Sequence, residues 1–125
     1  MTLLSHGEKQ LICIARVFLK SSKIVIFDEA TANLDHNIIM KIHHEIQKSF
    51  ENCTIITIAH NLRVISLNDI LICLTKDTNE NVDRIESIGR PSDLIRNESI
   101  FGQLFRELNN VEQNKVLEII NQLDL

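Results

Sequence analysis

Three short apolar runs set the terms for any fold of this chain: KIVIF at Lys23–Phe27, TIITIA at Thr54–Ala59 and ILICL at Ile70–Leu74. The first is too short for a helix and too continuously apolar for a half-exposed strand, which makes it a central parallel strand covered on both faces. The second reads as another buried strand and the last as a third. Between the first two, residues 35–49 are helix-like, with Ile38, Ile39, Ile42 and Ile46 toward the core and Asp35 as the cap. Strand, helix, strand is a right-handed crossover unit, and such units build parallel sheets.

The flanks add helices. Residues 5–19 carry Leu11, Ile14, Ala15, Phe18 and Leu19 at helical spacing, and Ser5 with Glu8 forms a capping box at the start. After the third strand, the polar run Thr75–Asn81 turns the chain, and Val82–Ile88 returns antiparallel as an edge hairpin. Pro91 opens a short helix at its first turn, and Ile100–Leu108 forms another. The tail from Val111 places Val116, Ile119, Ile120 and Leu123 on one stripe of a final amphipathic helix. The expected class is α/β.

Composition narrows the partners. The 125 residues carry a net charge of -4, and the 13 Lys and Arg are scattered, so no basic stripe marks a nucleic-acid surface. Cys13, Cys53 and Cys73 are odd in number and lack C-x-x-C spacing, so they read as reduced core residues rather than a disulfide framework or zinc site. His43 and His44 are adjacent and cannot share one helix face as metal-binding pairs do. No run approaches the length of a membrane-spanning helix, so any membrane link comes through a partner.

The chemistry concentrates at the ends of the strands. KIVIF runs into two carboxylates, Asp28 and Glu29, and TIITIA runs into His60. Alone, such an acid pair more often caps a turn or the next helix, and such a histidine more often caps its strand. The order of neighbours changes that reading. LSHGEKQ opens the first helix, ANLD follows the acid pair, and TIAHNL closes the second strand.

In this combination the chain resembles the ATP-binding cassette family over roughly residues 2–109. LSHGEKQ is similar to that family's signature motif, IVIFDE to its Walker B strand, ANLD to its D-loop and TIAHNL to its switch-histidine loop. GRPSDLI and SIFGQLFREL are similar to the end of the cassette in exporters, especially the multidrug-resistance-associated type. The resemblance implies part of a P-loop NTPase (RecA-like) lobe, with residues 1–110 as the C-terminal part of the cassette and 111–125 as a helical tail.

It also implies roles. Asp28 would hold Mg²⁺, a hard cation that prefers oxygen ligands. Glu29 would orient and deprotonate the attacking water, and His60 would contact the γ-phosphate of ATP. Ser5, Gly7 and Gln10 would bind, in trans, the nucleotide of a second cassette, because a helix N-terminus attracts phosphate. Ala32, Asn33, Leu34 and Asp35 would line the interface with that cassette. The implied partners are this cassette and a transporter's transmembrane domains; the implied location is the cytoplasmic face of a membrane. His6 stands where the family more often has Gly, and Glu8 and Lys9 replace the commoner Gln and Arg, while Ser5, Gly7 and Gln10 remain.

A phosphate cradle is not among these motifs. The glycines are Gly7, Gly89 and Gly102, none begins a G-x-x-x-x-G-K-[ST] loop, and there is no Trp or Tyr to stack adenine. Asp28 and Glu29 therefore read as the second half of a site whose first half lies on a truncated part or on another polypeptide. In the family, the strand entering the phosphate loop separates the switch-histidine strand from the next one, so Thr54–Ala59 and Ile70–Leu74 are expected to lie unpaired with each other or to close by a non-family pairing. Two other readings stand beside this one. One is the C-terminal lobe of an SMC-type chromosome or repair ATPase, which shares the Gly-Glu and Asp-Glu order. The other is a non-catalytic relic lobe that binds a cassette partner.

Overall fold

The structure is a computed structural model that describes residues 4–77 and 82–123. The chain divides into two compact units, one ending at His60 and one beginning at Asn61.

The first unit contains α1 (His6–Phe18), β1 (Ile24–Asp28), α2 (His36–Ser49) and β2 (Thr54–Ile58). β1 and β2 pair in parallel from Ile24↔Thr54 to Asp28↔Ile58, as the crossover reading requires. Their core is Val25 and Phe27 packed with Ile14 of α1, Ile46 of α2 and Phe50. Side chains alternate across a strand, so only this face of β1 is covered. Ile24 and Ile26 remain 61% exposed, with Ile56 and Ile58 of β2 exposed beside them. The expectation of a strand covered on both faces is thus corrected: α1 and α2 supply their core residues to one face alone.

The helices show the same economy of burial. Within α1, Ile14 is buried and Leu11 and Val17 are half-buried, whereas Ala15, Phe18 and Leu19 are exposed rather than core. Leu11, Ala15 and Phe18 instead line a groove of about 380 Å³ shared with Ile42 and Glu45 of α2. Phe18 closes the rim of the core, its ring 5.2 Å from that of Phe50. In α2, Ile39 and Ile46 are buried and Ile42 half-buried, while Ile38 faces outward. Cys13 is exposed, not core; Cys53 donates its thiol to the Ser22 carbonyl at 3.0 Å, and all three cysteines are free.

The second unit contains α3 (Leu62–Ile65), β3 (Leu71–Asp77), β4 (Val82–Gly89), α4 (Pro91–Leu94), α5 (Ile100–Glu107) and α6 (Asn110–Leu123). β3 and β4 form the expected antiparallel hairpin, with a register shift between Cys73 and Leu74. Thr75–Asp77 continue the strand instead of turning, and the rest of the expected turn, residues 78–81, lies outside the described residues. The described strands form two two-stranded sheets, β1 with β2 in the first unit and β3 with β4 in the second. The core joins Leu71, Leu94, Phe101, Val116 and Ile120, so α6 is integral to this unit. Arg63 of α3 grips Glu112 of α6 through Nε at 2.9 Å and through a second guanidinium nitrogen, and Lys115 adds a contact at 3.2 Å.

Two outcomes follow from this packing. A Cβ added at Gly102 would lie 2.5 Å from the Asn97 carbonyl oxygen and 2.9 Å from that of Leu94, both fixed backbone. Gly102→Ala is expected to cost about 1–3 kcal/mol, read as a lower urea midpoint. Hydrogen bonds from Arg63 and then Lys115 hold the Glu112 carboxyl below its ordinary 4.5. A carboxyl lowered on folding adds stability above its unfolded value and loses it as pH falls through the folded one. The stability gap between the wild type and Glu112→Gln should therefore be present at neutral pH and close below pH 4.5.

Candidate functional site

The parallel ladder determines what meets what at the ends of β1 and β2. Past Asp28, the Glu29 N–H still donates to the Ile58 carbonyl at 2.9 Å, so the ladder runs one residue beyond the strand. His60, two residues past Ile58, thereby comes beside Glu29, and its Nδ1 lies 2.7 Å from Glu29 Oε1. Both groups face water, with side chains 79% and 41% exposed. A ring nitrogen that donates to a carboxylate carries the proton, which leaves Nε2 free to meet a further ligand.

Glu29 is the one non-glycine residue at positive φ among the described residues, at 48°. That conformation costs an L-residue about 1–2 kcal/mol and persists where the surroundings over-determine it. Asp28, at the end of β1, is exposed. No group of three His, Cys, Asp or Glu side chains fit to hold a metal occurs among the described residues. A lone exposed carboxylate does suit Mg²⁺, which keeps several waters and takes one or two carboxylates together with substrate phosphates.

The start of α1 is held against the segment after Glu29. Ser5 is the N-cap in extended conformation, its hydroxyl accepts from Glu8 N–H at 3.2 Å, and its own N–H donates to Glu8 Oε2 at 2.7 Å. These bonds, the backbone one first, hold the Glu8 carboxyl below its ordinary value. The turn is regular although His6 replaces the smaller residue. A Cβ at Gly7 would lie 3.2 Å from the Asn33 carbonyl oxygen and 3.3 Å from Leu34, so glycine allows this close approach. Gln10 Nε2 donates to the Glu29 carbonyl and Asn33 N–H donates to Gln10 Oε1, each at 3.3 Å. His6 Nδ1 and Asn33 Nδ2 are 3.0 Å apart.

The described geometry brings Asp28, Glu29 and His60 to one strand end and ties Gly7 and Gln10 to Asn33 and Leu34. Ser5, Ala32, Asn33 and Asp35 are exposed, while Leu34 is half-buried against the core. Asp35 occupies the N-cap position of α2 without a side-chain bond there. Sequence reasoning passed over His6 as a bonding partner of Asn33 and the intrachain bonds of Gln10. Their partners lie 27, 19 and 23 residues away, so no local pattern could reveal them.

The site is thus a β–α–β unit with an Asp-Glu pair at the end of its first strand and a histidine brought beside that pair by the second. Comparison with known proteins is more particular. Residues 1–32 match the model of the family described as "ABC transporter". The chain is 35% identical over 120 residues to mouse ATP-binding cassette sub-family C member 4, a match over 95% of this chain and 9% of that protein. It is 50% identical over 70 residues to the ATP-dependent bile acid permease of Saccharomyces cerevisiae, covering 55% of this chain and 4% of the permease. A bacterial Atm1-family ABC exporter solved with ATP bound superposes with a TM-score of 0.73 at 31% identity, covering 86% of this chain and 18% of the exporter. The chain belongs to the ATP-binding cassette family, with relatives in subfamily C along most of its length. The SMC-type alternative finds no support in these relatives.

The backbone at Glu29 yields a test that is independent of activity. Glu29→Gly and Glu29→Ala both remove the carboxylate, but only glycine takes φ 48° without strain. After the greater flexibility of unfolded glycine is offset, Glu29→Gly should be about 0.5–1 kcal/mol more stable than Glu29→Ala in urea unfolding.

Proposed function

We propose that this chain supplies the signature, Walker B, D-loop and switch-histidine part of an ATP-binding cassette ATPase that powers a membrane exporter. The observation that carries the proposal is the Glu29–His60 contact at 2.7 Å, with the exposed Asp28 adjoining it. Glu29 orients the attacking water and accepts its proton. His60, steadied through Nδ1, presents Nε2 to the γ-phosphate. Asp28 would hold Mg²⁺, which neutralises phosphate charge when bound. Phosphoryl transfer depends chiefly on positioning and charge stabilisation, which suits a site made of a few well-placed polar groups.

Ser5 and Gly7 at the start of α1 face the nucleotide of a second cassette, Gln10 being bonded within its own chain to Glu29 and Asn33, and Ala32–Asp35 meet that cassette. Transmembrane domains are the other partners, with this chain at the cytoplasmic face of the membrane. Among the described residues, no helix is long and apolar enough to cross a membrane. The chain spans 9% of the length of its mouse relative, and no G-x-x-x-x-G-K-[ST] loop occurs in its sequence.

The purified chain with Mg-ATP should show no turnover above background, since backbone N–H groups and the lysine of a phosphate loop supply much of the binding. Turnover that vanishes in Glu29→Gln would refute the need for a second half. In a cassette pair that contains this sequence together with a phosphate-binding half, Glu29→Gln and His60→Ala should each lower ATP hydrolysis at least tenfold while nucleotide binding persists. Hydrolysis unchanged in Glu29→Gln would favour the relic-lobe reading instead.

A further inference from the structure

We propose that Gln10 is a positioning residue that sets the catalytic geometry of Glu29 from within the same chain. The inference rests on the reading of Glu29 as the carboxylate that activates water. Glu29 sits in a left-handed conformation, and such strain persists where the surroundings over-determine it. The preceding peptide is held by the ladder, through Glu29 N–H to the Ile58 carbonyl at 2.9 Å. The following peptide is held from two sides: the Glu29 carbonyl accepts from Ala32 N–H at 3.2 Å and from Gln10 Nε2 at 3.3 Å.

The same carboxamide accepts from Asn33 N–H, so Gln10 bridges the start and end of the turn that follows the acid pair. Both ends of its side chain are engaged inside the chain. The bond to the Glu29 carbonyl is half-buried, which limits competition by water there, while the bond from Asn33 is exposed. A rigid peptide after Glu29 aims the side chain at His60, where the 2.7 Å contact forms. Gln10 thus acts through Glu29 and does not itself touch the reacting atoms. It also makes the helix that opens with Ser5 and the turn that carries Asn33 respond to each other.

The proposal is tested on the full chain by NMR, with no need for turnover. At about pH 8.5, well above the ordinary imidazole range, a ring that donates through Nδ1 to a carboxylate gives ring ¹⁵N signals of the Nδ1–H form. Solvent-exposed imidazole favours Nε2–H. Wild-type His60 should show the Nδ1–H form, and Gln10→Leu should shift it toward Nε2–H and speed Asn33 amide exchange at least tenfold. Gln10→Glu keeps the acceptor for Asn33 but not the donor to Glu29, so it should preserve Asn33 protection and still lose the His60 signature. The Ser5 amide, bonded to Glu8, reports whether α1 remains intact.

A wild-type His60 ring in Gln10→Leu, with α1 intact, overturns the proposal. If Gln10→Leu does not fold, an unchanged ring in Gln10→Glu overturns it equally. The role of Glu29 itself stands or falls on hydrolysis by Glu29→Gln, so failure of the positioning claim and failure of the catalytic reading are told apart.

Discussion

The parallel pairing of β1 with β2 is the interaction on which the site depends. Its register, Asp28↔Ile58, decides which residue of one strand end meets which residue of the other. A slip by one residue would turn every side chain to the opposite face. Val25 and Phe27 would leave the core, and the Glu29–His60 contact would be lost with them. Burial of Val25, Phe27, Ile14, Ile46 and Phe50 therefore holds the chemistry in place, although none of these side chains carries any. The last ladder bond, Glu29 N–H to Ile58, carries that register into the acid pair.

A second layer of organisation gathers around Asn33. Gly7 lets the start of α1 approach its carbonyl, Gln10 takes its N–H, and His6 meets its side chain. These contacts are individually modest, as hydrogen bonds in partly exposed places are. Together they join residues that the family resemblance assigns to separate motifs, the signature and the D-loop. His6, at the position of the departure, is exposed and meets Asn33 Nδ2 at 3.0 Å, while the capping box of Ser5 and Glu8 stays intact.

Much of the fold was legible in the residues. Ser5 and Glu8 announce the start of α1, Pro91 the start of α4, and the alternation of short apolar runs with helical spacing announces the β–α–β unit. The family motifs also singled out Asp28, Glu29 and His60, which the paired strand ends bring together. Burial was less so. Ile24 and Ile26 look like core by composition, yet they are 61% exposed, because apolar character says that a face can be covered and not that a chain covers it. The same applies to Ile38, Phe18 and Cys13. The Arg63–Glu112 grip on α6 left no local signal, since the partners are 49 residues apart.

By itself, the sequence determined the class of element at most positions, the order of the motifs and the family. These depend on local propensity, on capping and on spacing, which act over a few residues. Only the tertiary structure decided the strand register, the left-handed backbone at Glu29, the exposed isoleucine face and the bonds of Gln10 and His6 to Asn33. Each of these joins residues far apart in the chain, and their geometry follows from how a whole set of side chains packs at once. Short-range preferences are silent on that, because the free energy that selects one packing is shared among residues that the sequence keeps apart.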